Sequence, residues 1–67
     1  MKNNKTQWTA TRRDRQYLPG ELTGDRESIT LQLENLLVER HLLGYVEAMT
    51  DQIEVYIRGR KVAVYMP

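Results

Sequence analysis

The side chains that could carry chemistry are few. His41 is the single histidine and there is no cysteine, and one imidazole without thiolates cannot assemble a zinc site from the usual ligands. Its chain neighbours Glu39 and Arg40 point in other directions on a helix, so no nucleophile, base and orienting acid come together around it. Gly20 and Gly24 have neither the spacing nor the following lysine of a phosphate-binding loop. The chain is therefore expected to be non-enzymatic, with no metal, no cofactor and no small-molecule substrate.

What remains is recognition chemistry. Tyr45, Tyr56 and Tyr65 share the C-terminal region with Arg58, Arg60 and Lys61, and aromatic rings beside cations can stack bases and hold phosphates. The net charge of +1 hides an uneven distribution. Residues 1–19 carry Lys2, Lys5, Arg12, Arg13 and Arg15 against Asp14, a balance of +4. Residues 20–55 carry eight acidic groups against Arg26 and Arg40, or −6, and residues 56–67 add +3. Basic ends around an acidic middle suit an anionic partner, or one chain's arm pairing with another's acidic helix.

These residues must be placed by very little structure. Sixty-seven residues make one domain at most, and a chain this short buries a modest share of its surface. Without a disulfide or a metal, oligomerisation is the remaining common staple. Residues 1–22 are expected to be a basic, largely extended N-terminal arm and turn, because residues 1–17 carry few large apolar side chains, chiefly Trp8 and Tyr17. Within it, Thr6–Thr11 suits an extended edge strand that would bring Trp8 onto a surface. Pro19-Gly20 is a strong turn signal.

Residues 23–67 are expected to form a single small α+β domain, one amphipathic helix followed by a three-stranded antiparallel β-meander. Asp25 or Thr23 can cap the helix and Gly44 can end it. At 100° per residue, Ile29, Leu33, Leu36, Leu37 and Leu43 share one face, and Leu31, Val38 and Leu42 form a second stripe opposite. The alternation Ile29-Thr30-Leu31-Gln32-Leu33 could also open as a strand. Strands over Tyr45–Met49, Ile53–Arg58 and Lys61–Met66 follow from alternation, the last two joined by a type II′ turn on Gly59-Arg60. That register sets Ile57 opposite Val62, Val55 opposite Val64 and Ile53 opposite Met66, so every apolar residue meets another. It leaves Tyr45, Tyr56 and Tyr65 on a diagonal across the outer face, with Arg58 facing Lys61 at the tip.

The leading expectation is a small regulatory or adaptor protein. It would self-associate as a homodimer through Leu31, Val38 and Leu42, and bind a protein partner with Tyr45, Tyr56, Tyr65, Arg58, Arg60 and Lys61. The alternative is a single-stranded nucleic-acid binder, RNA or DNA, that adds Lys5, Trp8, Arg12, Arg13 and Arg15 from the arm. The N-terminus lacks a signal peptide's apolar run and no stretch approaches the roughly 20 residues that span a bilayer. The expected location is the cytoplasm, away from any membrane.

Overall fold

The computed structural model describes residues 6–13 and 18–67. Five strands and one helix follow in the order β1 (Thr6–Arg12), β2 (Glu21–Gly24), α1 (Arg26–Glu39), β3 (Gly44–Ala48), β4 (Ile53–Ile57) and β5 (Arg60–Met66). They make one antiparallel sheet in the order β2-β1-β5-β4-β3, curled like a half-barrel. This overturns the expected helix with a three-stranded meander and a separate arm. Residues 6–12 form an interior strand, paired with β2 on one side and with the C-terminal β5 on the other. Trp8 accordingly lies in the core at 5% exposure, its indole N–H donating to the Gly24 carbonyl at 3.0 Å.

The curl has a local cause. Register shifts interrupt the β1–β5 pairing between Ala10 and Arg12, and the β5–β4 pairing beside Val62. An extra residue on one strand bends it and increases its twist, and here both irregularities fall on the central strands. The helix packs against β2, β3 and β4. Between helix and sheet lie Trp8, Leu18, Ile29, Leu33, Leu37, Ile53, Val55, Ala63 and Tyr65, all buried.

The helix runs through the alternating segment without opening as a strand. Asp25 caps it by accepting from the Ser28 N–H at 2.8 Å, as its short carboxylate should. Ile29, Leu33 and Leu37 are buried one turn apart and Leu36 packs beside them. Helix α1 ends at Glu39, five residues before the glycine expected to end it. His41 takes the left-handed position at φ 57, its N–H bonds the Val38 carbonyl, and the Leu42 N–H bonds the Leu37 carbonyl. That is the paired closure of a Schellman cap, with histidine where glycine is usual. The reversal exchanges two leucines: Leu42, assigned to the far stripe, packs on the core, while Leu43, assigned to the core face, is 75% exposed.

The last hairpin closes on Arg58-Gly59, at φ 55 and 79, so Ile57 faces Arg60 and Tyr56 faces Lys61. Two consecutive positive φ values define a type I′ turn, in place of the expected II′ turn one residue later. Beyond the bulge, Val55 faces Ala63 and Ile53 faces Tyr65. A slip of one residue exchanges the faces of a strand, and Ala63 and Tyr65 are buried where Val62, Val64 and Met66 were expected. In β3 the shift is two residues, which keeps the faces and sets Val46 opposite Val55 and Tyr45 opposite Tyr56.

Candidate functional site

The turn on Arg58-Gly59 and the end of β1 meet at one end of the sheet. Because Arg12 is registered with Val64 in the central pairing, the basic residues of the first strand arrive beside the basic hairpin, although more than forty positions separate them in the chain. Arg12, Arg13, Arg58, Arg60 and Lys61 line one open cleft of about 530 Å³, with Ile57 and Val62 as its apolar residues and no carboxylate among the described residues of its lining. Among the described residues, Arg12, Arg13, Arg58 and Arg60 make no ion pair; the ion pair present joins Lys61 to Glu54 at 3.0 Å. A second depression edged by Arg12 and Arg13 also includes Glu21, so the cations are most concentrated on the hairpin side.

The arginines are not equivalent. Arg13 lies over Gly20 and donates to the Leu18 carbonyl at 2.8 Å, which ties it to the turn before β2. Arg58 holds a left-handed backbone at φ 55, where a type I′ turn favours asparagine, aspartate or glycine. An arginine there costs on the order of 1 kcal/mol in backbone strain, and an observed outlier of this kind is a pointer to use of the side chain.

The outer face of β3, β4 and β5 is organised differently from expectation. Tyr45 and Tyr56 stack on each other, ring centroids 4.9 Å apart and planes within 6°. Tyr56 donates its hydroxyl to Glu54 at 2.9 Å, and the same carboxylate accepts from Gln52 at 2.7 Å. Glu54 is 4% exposed although it lies on the face away from the helix. The Lys61 hydrogen bond, then the Tyr56 hydroxyl, hold its carboxyl below the ordinary 4.5, outweighing the cost of its burial. The bond to this carboxylate also raises the Tyr56 phenol above its ordinary value.

A carboxyl whose pKa is lowered by folding stabilises the fold above its unfolded value, and that contribution is lost as pH falls through the folded one. Melting temperature should therefore drop below about pH 4.5. Glu54→Gln should melt lower at pH 7 and show a shallower acid limb. Parallel acid limbs in thermal scans of the two proteins would discount the network.

Tyr65 is not on that face. It is fully buried in the core and its hydroxyl donates to the Pro19 carbonyl at 2.5 Å. Burial pushes its phenol up to about 12, with the Arg13 charge opposing. Trp8 is likewise withdrawn from any surface, whereas Leu31 and Val38 are 59% and 73% exposed. Lys5 and Arg15 lie outside the described residues. The cleft thus joins Arg12 and Arg13, read as part of an arm, with Arg58, Arg60 and Lys61, read as a hairpin tip. Their convergence follows from the β1–β5 pairing, for which the sequence offered only the threonine-rich strand propensity of residues 6–11.

Among the described residues no group of histidine and acidic side chains is placed to hold a metal ion, and no helix is long and apolar enough to cross a membrane. No protein-family description matches the chain, and no curated protein or solved structure matches it significantly.

Proposed function

We propose that this chain is a non-enzymatic binding module whose basic cleft takes the phosphate backbone of a single-stranded nucleic acid. The observation that carries the reading is the gathering of Arg12, Arg13, Arg58, Arg60 and the Glu54-paired Lys61 around one cleft with no carboxylate among its described lining residues. Four of the five are arginines, whose planar fork matches phosphate oxygens bidentately. Ile57 and Val62 in the same cleft give a base or sugar an apolar surface to rest on.

The protein-docking reading draws on the outer face, and that face is poorer than its sequence promised. Tyr65 is absent from it, Tyr45 and Tyr56 cover each other, and Lys61 is neutralised by Glu54. An acidic protein segment remains the competing occupant of the cleft.

Fluorescence anisotropy with mixed-sequence oligonucleotides tests the proposal. Binding should weaken with salt, with a log–log slope of about −2 to −3 if three to four phosphates are neutralised. The double reversal Arg12→Glu/Arg58→Glu should reduce affinity by at least about tenfold and flatten that slope. Arg26→Glu, on the helix away from the cleft, should change little. Absence of binding at low salt, or binding indifferent to the double reversal, would refute the proposal. A polyglutamate peptide that binds the cleft in preference to the oligonucleotide would assign it to a protein partner instead.

A further inference from the structure

Strand β3 (Gly44–Ala48) pairs with β4 alone and forms an edge of the sheet. The ladder fixes which of its peptide groups are free. The Met49 N–H donates to the Gln52 carbonyl and the Arg58 N–H to the Leu43 carbonyl, each at 2.8 Å. These bonds mark residues 49 and 52, and 43 and 58, as hydrogen-bonded pairs. Such pairs alternate with non-bonded ones along an antiparallel ladder. The peptide groups of Tyr45 and Glu47 therefore turn toward β4, and those of Gly44, Val46 and Ala48 turn outward.

That edge carries few of the devices that keep an edge strand single, the Glu47 charge being the one side chain of that kind on it. It has no proline and no lysine, and its pairing with β4 runs without a register shift. Proteins ordinarily guard an exposed edge with one of these. Beside it, Leu31, Ala48 and Met49 help to line an open groove between helix and sheet edge, and Leu43 stands 75% exposed just before the strand.

We propose that a second copy of this chain adds to this edge, β3 against β3, antiparallel about a twofold axis through Val46. In that register Val46 meets Val46 of the second copy and Gly44 meets Ala48, so every outward peptide group of both strands finds a partner. On the outer face Tyr45 comes opposite Glu47 of the second copy, a phenol donor beside a carboxylate. Leu43 of the second copy comes alongside Met49, at the mouth of the groove that Leu31 lines.

The sequence of the strand selects this pairing. Slipping the second copy by two residues in one direction sets Glu47 against Glu47, a like-charge juxtaposition that cross-strand contact penalises. Slipping it the other way leaves outward groups of Ala48 without partners. Isologous contact of one patch with itself is the common solution for small homo-oligomers. The inference rests on the ladder and owes nothing to the basic cleft.

Sedimentation of the intact chain with two variants tests it. The Ala48 N–H points outward and has no partner among the described residues, so Ala48→Pro removes a donor that only the dimer uses. Wild type should sediment as a dimer at high micromolar concentration. Ala48→Pro should sediment as a monomer with the circular dichroism of wild type, while Val38→Glu, on the exposed helix, should stay dimeric. A monomeric wild type overturns the proposal, as does a dimer that Val38→Glu breaks and Ala48→Pro does not. Should Ala48→Pro fail to fold, amide hydrogen exchange of wild type decides. The Val46 and Ala48 amides should be protected at high concentration and exchange quickly on dilution; exchange independent of concentration overturns the pairing.

Discussion

Trp8→Ala will destabilise the protein by about 3–5 kcal/mol, the range for truncating a buried tryptophan. The whole domain commands roughly 3–10 kcal/mol at ordinary stability per residue, so much of the variant population should be unfolded at room temperature. Three losses combine: the apolar contacts of a ring at 5% exposure, the bond to the Gly24 carbonyl, and the packing of β1 against Leu22 of its neighbour strand. Urea denaturation followed by far-ultraviolet circular dichroism reads the effect without the lost fluorophore. Trp8→Phe, which keeps most of the apolar volume, should fall between the two. A midpoint for Trp8→Ala equal to that of wild type would return residues 6–12 to a free arm. Because β1 lies between β2 and β5, deleting residues 1–15 removes an interior strand of the sheet, and such a truncation cannot serve as a clean test of charge.

The helix was legible because its signals are local. Asp25 caps it, and Ile29, Leu33 and Leu37 lie one turn apart on its buried face, which sequence spacing reports directly. The strand β1 was legible as a strand and not as an interior one, since nothing local records that its partner is the last strand of the chain. The register of β5 failed for a definite reason. Val62-Ala63-Val64-Tyr65-Met66 is apolar at every position, so either face can be turned inward with each residue still meeting an apolar partner. Alternation decides register only when one face is polar. The turn could have decided it, but Arg58-Gly59 in place of Gly59-Arg60 requires an arginine at positive φ, against propensity.

The same non-local pairing explains what was and was not legible in the site. Charge summation found two basic ends, and composition cannot say whether they meet. They meet because the first and last strands are neighbours at the centre of the sheet, which places Arg12 beside the hairpin that carries Arg58 and Arg60. The tyrosine diagonal failed through the shifts in β5 and β3: Tyr65 exchanged places with Val64, and Tyr45 moved directly opposite Tyr56 on the outer face. Of the two carboxylates on that outer face, Glu47 and Glu54, the second is committed to Lys61, Tyr56 and Gln52.

Gly44→Ala should be the costliest exchange of a single methyl group in the molecule. Glycine was expected at this position as the left-handed end of the helix, but the end is made by His41, and Gly44 instead opens β3 opposite Ile57. A Cβ there would lie 2.1 Å from the Tyr56 carbonyl oxygen and 3.2 Å from Ile57 Cα. Both are backbone atoms, and no side-chain rotation relieves the contact. The chain must instead lift the start of β3 from β4, stretching the Arg58 N–H bond to Leu43 and parting the Tyr45–Tyr56 stack one residue on. Overpacking of this kind costs about 1–3 kcal/mol. A backbone clash in a two-strand pairing with no slack belongs at the upper end, which lowers the melting temperature by roughly 10–20 °C in a domain of this size. Gly59→Ala is the control: its Cβ would meet nothing within 4 Å but would sit at φ 79, so it should cost about 1 kcal/mol through conformation alone. If the two variants melt together, Gly44 owes its place to backbone freedom and the close approach of β3 to β4 is not what fixes it. If Gly44→Ala melts far lower, the approach of the two strands is what the residue secures. The edge on which a second copy would pair then depends on a side chain that is absent.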